Sequence, residues 1–150
     1  MNESTVLLVD DSENDRFMMR RAFRKAEFDA PLQEARNGEA AIAYLAGEGV
    51  YSNRTEYPMP ALVLLDLNMP MKNGFDVLDW IRAQPTFKGI AVFIMTASLR
   101  AEDVDRTFEL GADSYLVKPS NMEALTAMVR SIRDWTQINH FPPRNRMVIR

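Results

Sequence analysis

Short apolar runs alternate along this chain with segments whose apolar residues recur at helical spacing. Residues 6–9 form a continuous apolar run, as expected for a strand that is covered on both faces. Met19, Ala22, Phe23 and Ala26 follow at helical spacing, on a helix that starts near residue 12 or 14. The alternation predicts right-handed strand–helix–strand crossovers, and therefore a parallel sheet with helices on both faces.

The pattern predicts five strands and five helices, which is a doubly wound α/β fold. Strands are predicted at residues 6–9, 32–35, 61–65, 90–95 and 115–117, and the later helices at 39–46, 75–82, 101–110 and from 121. The last helix opens with a predicted capping box, in which the side chains of Ser120 and Glu123 satisfy backbone groups. Ligands of such folds bind outside the carboxyl ends of the strands, where strand order reverses.

Composition narrows the class of protein. A chain of 150 residues with 47% hydrophobic and 26% charged residues has the balance of one globular domain. The net charge of −3 gives no indication of nucleic-acid or membrane binding, although a small basic patch can be hidden in such a total. The absence of cysteine excludes disulfides and thiolate metal sites and suits a reducing cytoplasm. We therefore expect a cytoplasmic protein.

Polar residues stand at the carboxyl ends of four predicted strands. Asp10 and Asp11 follow the first strand, Asp66 the third, Thr96 the fourth and Lys118 the fifth. Crowded carboxylates repel one another unless a cation neutralises them, and an oxygen-only ligand set favours Mg²⁺ or Mn²⁺. A carboxylate nucleophile beside a metal, an ammonium and a hydroxyl forms a site for a phosphoryl group.

Each of these residues also has an ordinary structural interpretation. The Asp10-Asp11 pair and Asp66 are typical of turns and helix caps, Thr96 is a candidate cap, and Lys118 is a candidate solvated charge. Four separate strands that end in complementary phosphate chemistry favour the functional interpretation over four unrelated accidents.

Four motifs together resemble the receiver domains of two-component response regulators. They are Val-Leu-Leu-Val-Asp-Asp at 6–11, Leu-Leu-Asp-Leu-Asn-Met-Pro at 64–70 with Gly74, Met-Thr-Ala at 95–97, and Tyr-Leu-Val-Lys-Pro at 115–119. The resemblance covers about residues 4–137 and implies a flavodoxin-like strand order of 2-1-3-4-5. It places a receiver domain at 1–137 and an extension without an output domain at 138–150.

The resemblance also implies how the acidic residues act. Asp66 would accept a phosphoryl group from a histidine kinase or a histidine phosphotransfer protein. Asp11 would ligate Mg²⁺ directly, together with an Asp66 oxygen and the backbone carbonyl of Asn68. Asp10 would act through a bound water. Such a protein is a switch that loses its own phosphoryl group by hydrolysis, and is not a metabolic enzyme.

The same resemblance assigns the remaining motif residues to the switch. Lys118 would contact a phosphoryl oxygen, and its peptide bond to Pro119 would be cis. Thr96 would swing towards the phosphoryl group, and Tyr115 would then rotate inward. The surface that changes would comprise the fourth helix, the fifth strand and the fifth helix.

Two further segments resemble those of the stand-alone, phytochrome-associated receivers. They are the long connection at residues 47–60 and the extension that begins with Trp135. The resemblance implies a phytochrome-type sensor kinase as a partner, and homodimers formed through the switch surface and the extension. His140, the only histidine, lies in this extension and is expected to be solvated or packed rather than catalytic.

Three other functions were weighed. An aspartate-nucleophile phosphatase of the haloacid dehalogenase type needs Asp-x-Asp after its first strand, whereas here Asp66 follows the third strand and Asn68 replaces the second acid. A flavodoxin needs a hydroxyl-rich phosphate loop where this chain has Asp10 and Asp11, which would repel the phosphate. The third alternative, a receiver that has lost phosphorylation, conflicts with the complete set of motif residues.

Overall fold

The structure is a computed structural model that describes residues 4–138, and it contains a five-stranded parallel sheet. The strands are β1 (Thr5–Val9), β2 (Leu32–Ala35), β3 (Pro60–Leu65), β4 (Ala91–Thr96) and β5 (Ser114–Val117). Their order is β2-β1-β3-β4-β5, and every neighbouring pair is parallel. This confirms the predicted doubly wound sheet and places its reversal of strand order between β1 and β3.

Five α-helices alternate with these strands. They are α1 (Glu13–Lys25), α2 (Gly38–Ala46), α3 (Gly74–Ala83), α4 (Ala101–Glu109) and α5 (Met122–Ile138). Short 3₁₀ helices at Gly49–Ser52 and Pro85–Phe87 lie in the connections. No helix among residues 4–138 is long and apolar enough to cross a membrane.

The core consists of two apolar clusters, one on each face of the sheet. Along β1, Leu7 and Val9 belong to the cluster under α2 and α3, while Val6 and Leu8 belong to the cluster under α1 and α5. The assignment alternates because successive strand residues point to opposite faces. Both faces are buried, which explains the unbroken apolar run in the sequence.

Helix caps fix the loops near the carboxyl edge of the sheet. The Ser12 side chain accepts a hydrogen bond from the backbone N–H of Asp15 and starts α1 as predicted. The capping box predicted for α5 is wrong by one residue, because Asn121 takes the position expected for Ser120. The Asn121 side chain accepts from Ala124 N at 2.7 Å. Serine and asparagine are about equally good caps, so the pattern alone does not distinguish adjacent candidates.

The long connection between α2 and β3 is packed. The Arg54 guanidinium donates to the carbonyl oxygens of Tyr44 and Leu45, both at 2.8 Å, and so satisfies the last turn of α2. The rings of Tyr44, Tyr51 and Tyr57 lie 5.0–5.8 Å apart. The connection runs from the end of α2 to the start of β3, so it lies at the amino edge of the sheet.

Helix α5 continues one residue past the predicted domain boundary at 137. Its Trp135 ring packs on Phe93 of β4, with centroids 4.8 Å apart. The segment from Trp135, which was predicted to resemble the extension of the phytochrome-associated receivers, therefore begins inside the folded domain. The rest of that extension, including His140, lies outside the described residues.

Candidate functional site

The three predicted acidic residues meet at the carboxyl edge of the sheet. One carboxylate oxygen from each of Asp10, Asp11 and Asp66 lies within 4.8 Å of the other two. Asp10 and Asp66 are buried, whereas Asp11 is exposed. Clustered carboxylate oxygens with one side open to solvent suit a hard divalent cation that keeps several waters, such as Mg²⁺ or Mn²⁺.

Lys118 crosses from the end of β5 into this cluster. Its Nζ lies 2.8 Å from Asp10 Oδ2 and 3.5 Å from Asp66 Oδ2. The backbone brings it there, because Lys118 N donates to Thr96 O at 2.8 Å and extends the pairing of β5 with β4. The ammonium therefore stands beside the phosphoacceptor candidate, as predicted.

A fourth carboxylate, which is not among the site residues predicted from the sequence, also contacts this lysine. Asp15 Oδ2 lies 2.8 Å from Lys118 Nζ. Asp15 belongs to the first turn of α1, where an acid is also favoured by the helix dipole, so its sequence position gave no distinct signal. Its place one helical turn past the Asp10-Asp11 pair was the available hint.

The electrostatics of the site reflect burial and the shared lysine. Burial raises the pKa of Asp66 above its ordinary value, and the nearby Lys118 charge opposes that rise. Burial alone would lower the pKa of Lys118, but hydrogen bonds to Asp10 and Asp15 and the charge of Asp66 raise it overall. The lysine is therefore a cation throughout the physiological pH range.

Thr96 and Asn68 lie next to Asp66. Thr96, at the end of β4, is fully buried, and its Oγ1 accepts a hydrogen bond from Asn68 Nδ2 at 3.4 Å. Asn68 N donates to Asp66 Oδ1, also at 3.4 Å. Both contacts are long and therefore weak. The role of the Asn68 carbonyl as a metal ligand stays a prediction.

Tyr115 is tied to the loop that follows Thr96. Its hydroxyl donates to the backbone carbonyl of Ser98 at 3.1 Å, and its ring is partly buried against the cluster under α2 and α3. The structure thus joins the two predicted switch residues through one loop. Whether they move together stays a prediction.

The predicted cis bond between Lys118 and Pro119 is wrong, because the described residues contain no cis peptide bond. A peptide bond before proline prefers trans by only about 0.5–1 kcal/mol, so its surroundings decide the isomer and the dipeptide sequence does not. In the trans form Lys118 still reaches both Asp10 and Asp15.

Gly74 allows the loop after β3 to fold close to the phosphoacceptor candidate. A Cβ at Gly74 would lie 2.4 Å from the backbone oxygen of Asp66 and 2.7 Å from Leu67 Cα. Gly74 N also donates to Leu67 O at 3.0 Å. Only glycine fits this approach, which fixes the backbone that presents Asp66.

With this geometry established, comparison with known proteins identifies the family. The family profile described as response regulator receiver domain matches residues 6–130. The chain belongs to this family. Membership sets aside the phosphatase and flavodoxin alternatives, because receiver domains are signalling switches rather than metabolic enzymes.

Similar receivers include regulators associated with phytochromes. Response regulator Rcp1 of Synechocystis sp. is 38% identical over 130 residues, which cover 87% of this chain and 86% of that protein. The structure of the phosphorylated cyanobacterial phytochrome response regulator RcpA has a TM-score of 0.85 at 31% identity, covering 93% of this chain and 98% of that one. These likenesses support the predicted resemblance to the phytochrome-associated receivers.

A metal-bound relative is also similar. The structure of the Mn²⁺-bound form of Rcp1 has a TM-score of 0.82 at 36% identity, covering 93% of this chain and 99% of that chain. Together with the cluster of Asp10, Asp11 and Asp66, this likeness indicates a divalent-metal site in the present receiver.

Proposed function

We propose that this receiver is a switch in which Asp66 accepts a phosphoryl group from a phosphohistidine of a partner protein. The observation that carries the proposal is the position of the Asp66 carboxylate, which lies close to both the acidic pair and the Lys118 ammonium. A metal and an ammonium close to a carboxylate neutralise the charge that builds up when that carboxylate attacks phosphorus.

The transfer balances with the groups present. An Asp66 carboxylate oxygen forms a bond to phosphorus while the bond from phosphorus to the histidine nitrogen breaks. The bonding electron pair leaves on the imidazole, which takes a proton from solvent. Lys118, at 3.5 Å from Asp66 Oδ2, is placed to hold an oxygen of the transferred group.

Magnesium is the cation proposed for this site. Asp11, an Asp66 oxygen and the Asn68 carbonyl would hold it, and Asp10 would act through water. When bound, it would neutralise oxygens of the phosphoryl group and orient that group for in-line attack.

The surface of α4, β5 and α5 is proposed to carry the signal. Thr107 is the only buried residue of α4, so this helix is held by few core contacts. Tyr115 of β5 is hydrogen-bonded to the loop that Thr96 would pull when it turns towards the phosphoryl group. Phosphorylation would give Asp66 a charge of about −1.5 to −2. By attracting Thr96, this charge would move the loop that is hydrogen-bonded to Tyr115 and so change the surface of α4, β5 and α5.

The relatives support a proposal about the partners. A histidine kinase or histidine phosphotransfer protein would donate the phosphoryl group, and likeness to phytochrome response regulators favours a phytochrome-type kinase. A homodimer through the surface of α4, β5 and α5 would be the output, and sizing with and without beryllofluoride tests it. A cytoplasmic location suits a chain without cysteine, and cell fractionation tests that.

The deciding experiment follows the mass of the intact protein with Mg²⁺ and acetyl phosphate, a small phosphodonor. We expect the wild-type protein to gain one phosphoryl group, and Asp66→Asn to gain none. Asp79→Asn is the matched control, because this acid of α3 lies outside the acidic cluster. A gain that persists in Asp66→Asn would contradict the assignment, and loss of the gain on removal of Mg²⁺ would support the metal.

A further inference from the structure

Lys118 has more carboxylate partners than its role beside a phosphoryl group requires. Its Nζ makes two contacts of 2.8 Å, to Asp10 Oδ2 and Asp15 Oδ2, and a longer one of 3.5 Å to Asp66 Oδ2. An ammonium has three N–H donors, and the two short contacts are hydrogen bonds that use two of them. In this structure neither of the two short contacts is to the phosphoacceptor candidate.

The two short contacts differ in what phosphorylation would require of them. Asp10 belongs to the acidic cluster beside Asp66, so Lys118 could keep that contact while it binds an oxygen on Asp66. Asp15 belongs to α1 and lies outside the cluster. A lysine that moves fully to the phosphoryl group would have to leave Asp15.

The surroundings allow such a movement. Asp15 and Lys118 both line a cavity of about 140 Å³, which gives the lysine chain room to change its rotamer. The backbone of Asp15 is fixed, because its N–H donates to Ser12 Oγ at 3.1 Å. The backbone of Lys118 is held as well, by its hydrogen bond to Thr96 O, so the movement requires only a change in the lysine side chain.

We propose that Asp15 is a positioning residue that holds Lys118 in the unphosphorylated receiver and competes with the phosphoryl group for it. The inference rests on the proposed function and deepens it. Asp15 would set how readily Asp66 accepts and retains a phosphoryl group, and would link α1 to the loop between β5 and α5. Removal of its charge would release Lys118 towards Asp66.

The test measures the dissociation constant of beryllofluoride, an analogue of the phosphoryl group, by calorimetry in saturating Mg²⁺. For Asp15→Asn we expect tighter binding by roughly 1.5- to 5-fold, the scale of one partly exposed ion pair. Asp15→Glu, which keeps the charge, should stay near the wild-type value. Glu13→Gln is the matched control, since it removes one charge from the same helical turn at a residue paired with Arg16 and Arg20.

A double-mutant cycle separates this role from a structural one. In a Lys118→Ala background, Asp15→Asn should no longer change beryllofluoride affinity, because Asp15 is proposed to act only through the lysine. Urea unfolding of the same four proteins should show non-additive losses of stability, which tests the contact without any phosphate analogue.

The outcomes are distinct. Two results would overturn this inference and leave the proposed function intact, provided that the wild-type protein binds beryllofluoride. The first is that Asp15→Asn and Glu13→Gln have equal affinities for beryllofluoride. The second is that Asp15→Asn still changes this affinity in the Lys118→Ala background. A wild-type protein that binds no beryllofluoride would overturn both the inference and the proposed function.

Discussion

Gly74 shows how strongly a single residue constrains the site. The added Cβ of Gly74→Ala would meet backbone atoms of Asp66 and Leu67, which cannot rotate away as a side chain can. We expect the variant to lose about 1–3 kcal/mol of unfolding free energy, the usual cost of overpacking. We also expect weaker beryllofluoride binding, because the backbone that presents Asp66 must shift.

Gly49→Ala is the control for this prediction. Gly49 has open space around it but a φ of +60°, so alanine there costs about 1–2 kcal/mol of backbone strain without touching Asp66. Both variants should therefore unfold more easily in urea, and only Gly74→Ala should bind beryllofluoride less tightly. Equal affinities for the two variants would contradict the interpretation of Gly74.

At the scale of single residues, the sequence predicted where the site residues lie better than it predicted which side chains they contact. Asp10, Asp66 and Lys118 were predictable because the carboxyl ends of parallel strands meet at one edge of the sheet. The contact of Asp15 was not, because it depends on how α1 is oriented over the sheet and on how far the Lys118 chain extends. Such features arise from packing, which no local pattern encodes.

Among the five described α-helices, α4 has the fewest buried residues. Thr107 is its only buried residue, and the Arg106 guanidinium lies 4.1 Å from the centroid of the Phe75 ring at the start of α3. This cation–π contact joins two helices on the same face of the sheet. A helix held in this way can be displaced at low cost, which suits the proposed switch.

We predict that Arg106→Gln loosens α4 without affecting the sheet. Loss of a cation–π contact at an exposed site, about 0.5–1 kcal/mol, corresponds to amide exchange roughly 2- to 5-fold faster in Ala101–Glu109. Hydrogen exchange followed by mass spectrometry measures this. Arg21→Gln is the control, since it removes the same charge at an exposed position of α1 and should leave exchange in α4 unchanged.

Element boundaries show where local patterns are sufficient. The three central strands, β1, β3 and β4, were predictable because both faces of the sheet are buried there and their apolar runs are nearly unbroken. The start of α5 and the isomer of the bond before Pro119 were not, because the alternatives differ by about 1 kcal/mol or less. Tertiary contacts decide between states that local energies leave nearly equal.

For the whole molecule, the stability of the fold is linked to the ionisation of Tyr44. This tyrosine is buried, and its hydroxyl donates to Pro58 O at 2.8 Å. Burial raises its pKa to about 12, although Arg54 opposes the rise. Above pH 10 the unfolded chain loses this proton while the folded chain keeps it, so stability present below pH 10 is lost as the pH rises towards 12.

We predict that Tyr44→Phe changes this pH dependence. At pH 8 the variant should be less stable by about 1 kcal/mol, because one hydrogen bond is lost and the Pro58 carbonyl remains. As the pH rises from 10 to 12 the difference from the wild-type protein should shrink, since phenylalanine has no proton to lose. Urea unfolding at several pH values measures it, and a difference that stays constant would refute the linkage.

The tyrosine-packed connection between α2 and β3 also has a practical consequence for experiments. It lies at the amino edge of the sheet, and the six residues of β3 separate it from Asp66. A chemical group attached there would therefore lie about 20 Å from the Asp66 carboxylate. The chain contains no cysteine, and Val50 in this connection is 68% exposed. A Val50→Cys protein would therefore offer a single thiol for a fluorophore or a surface tether, held on an ordered segment.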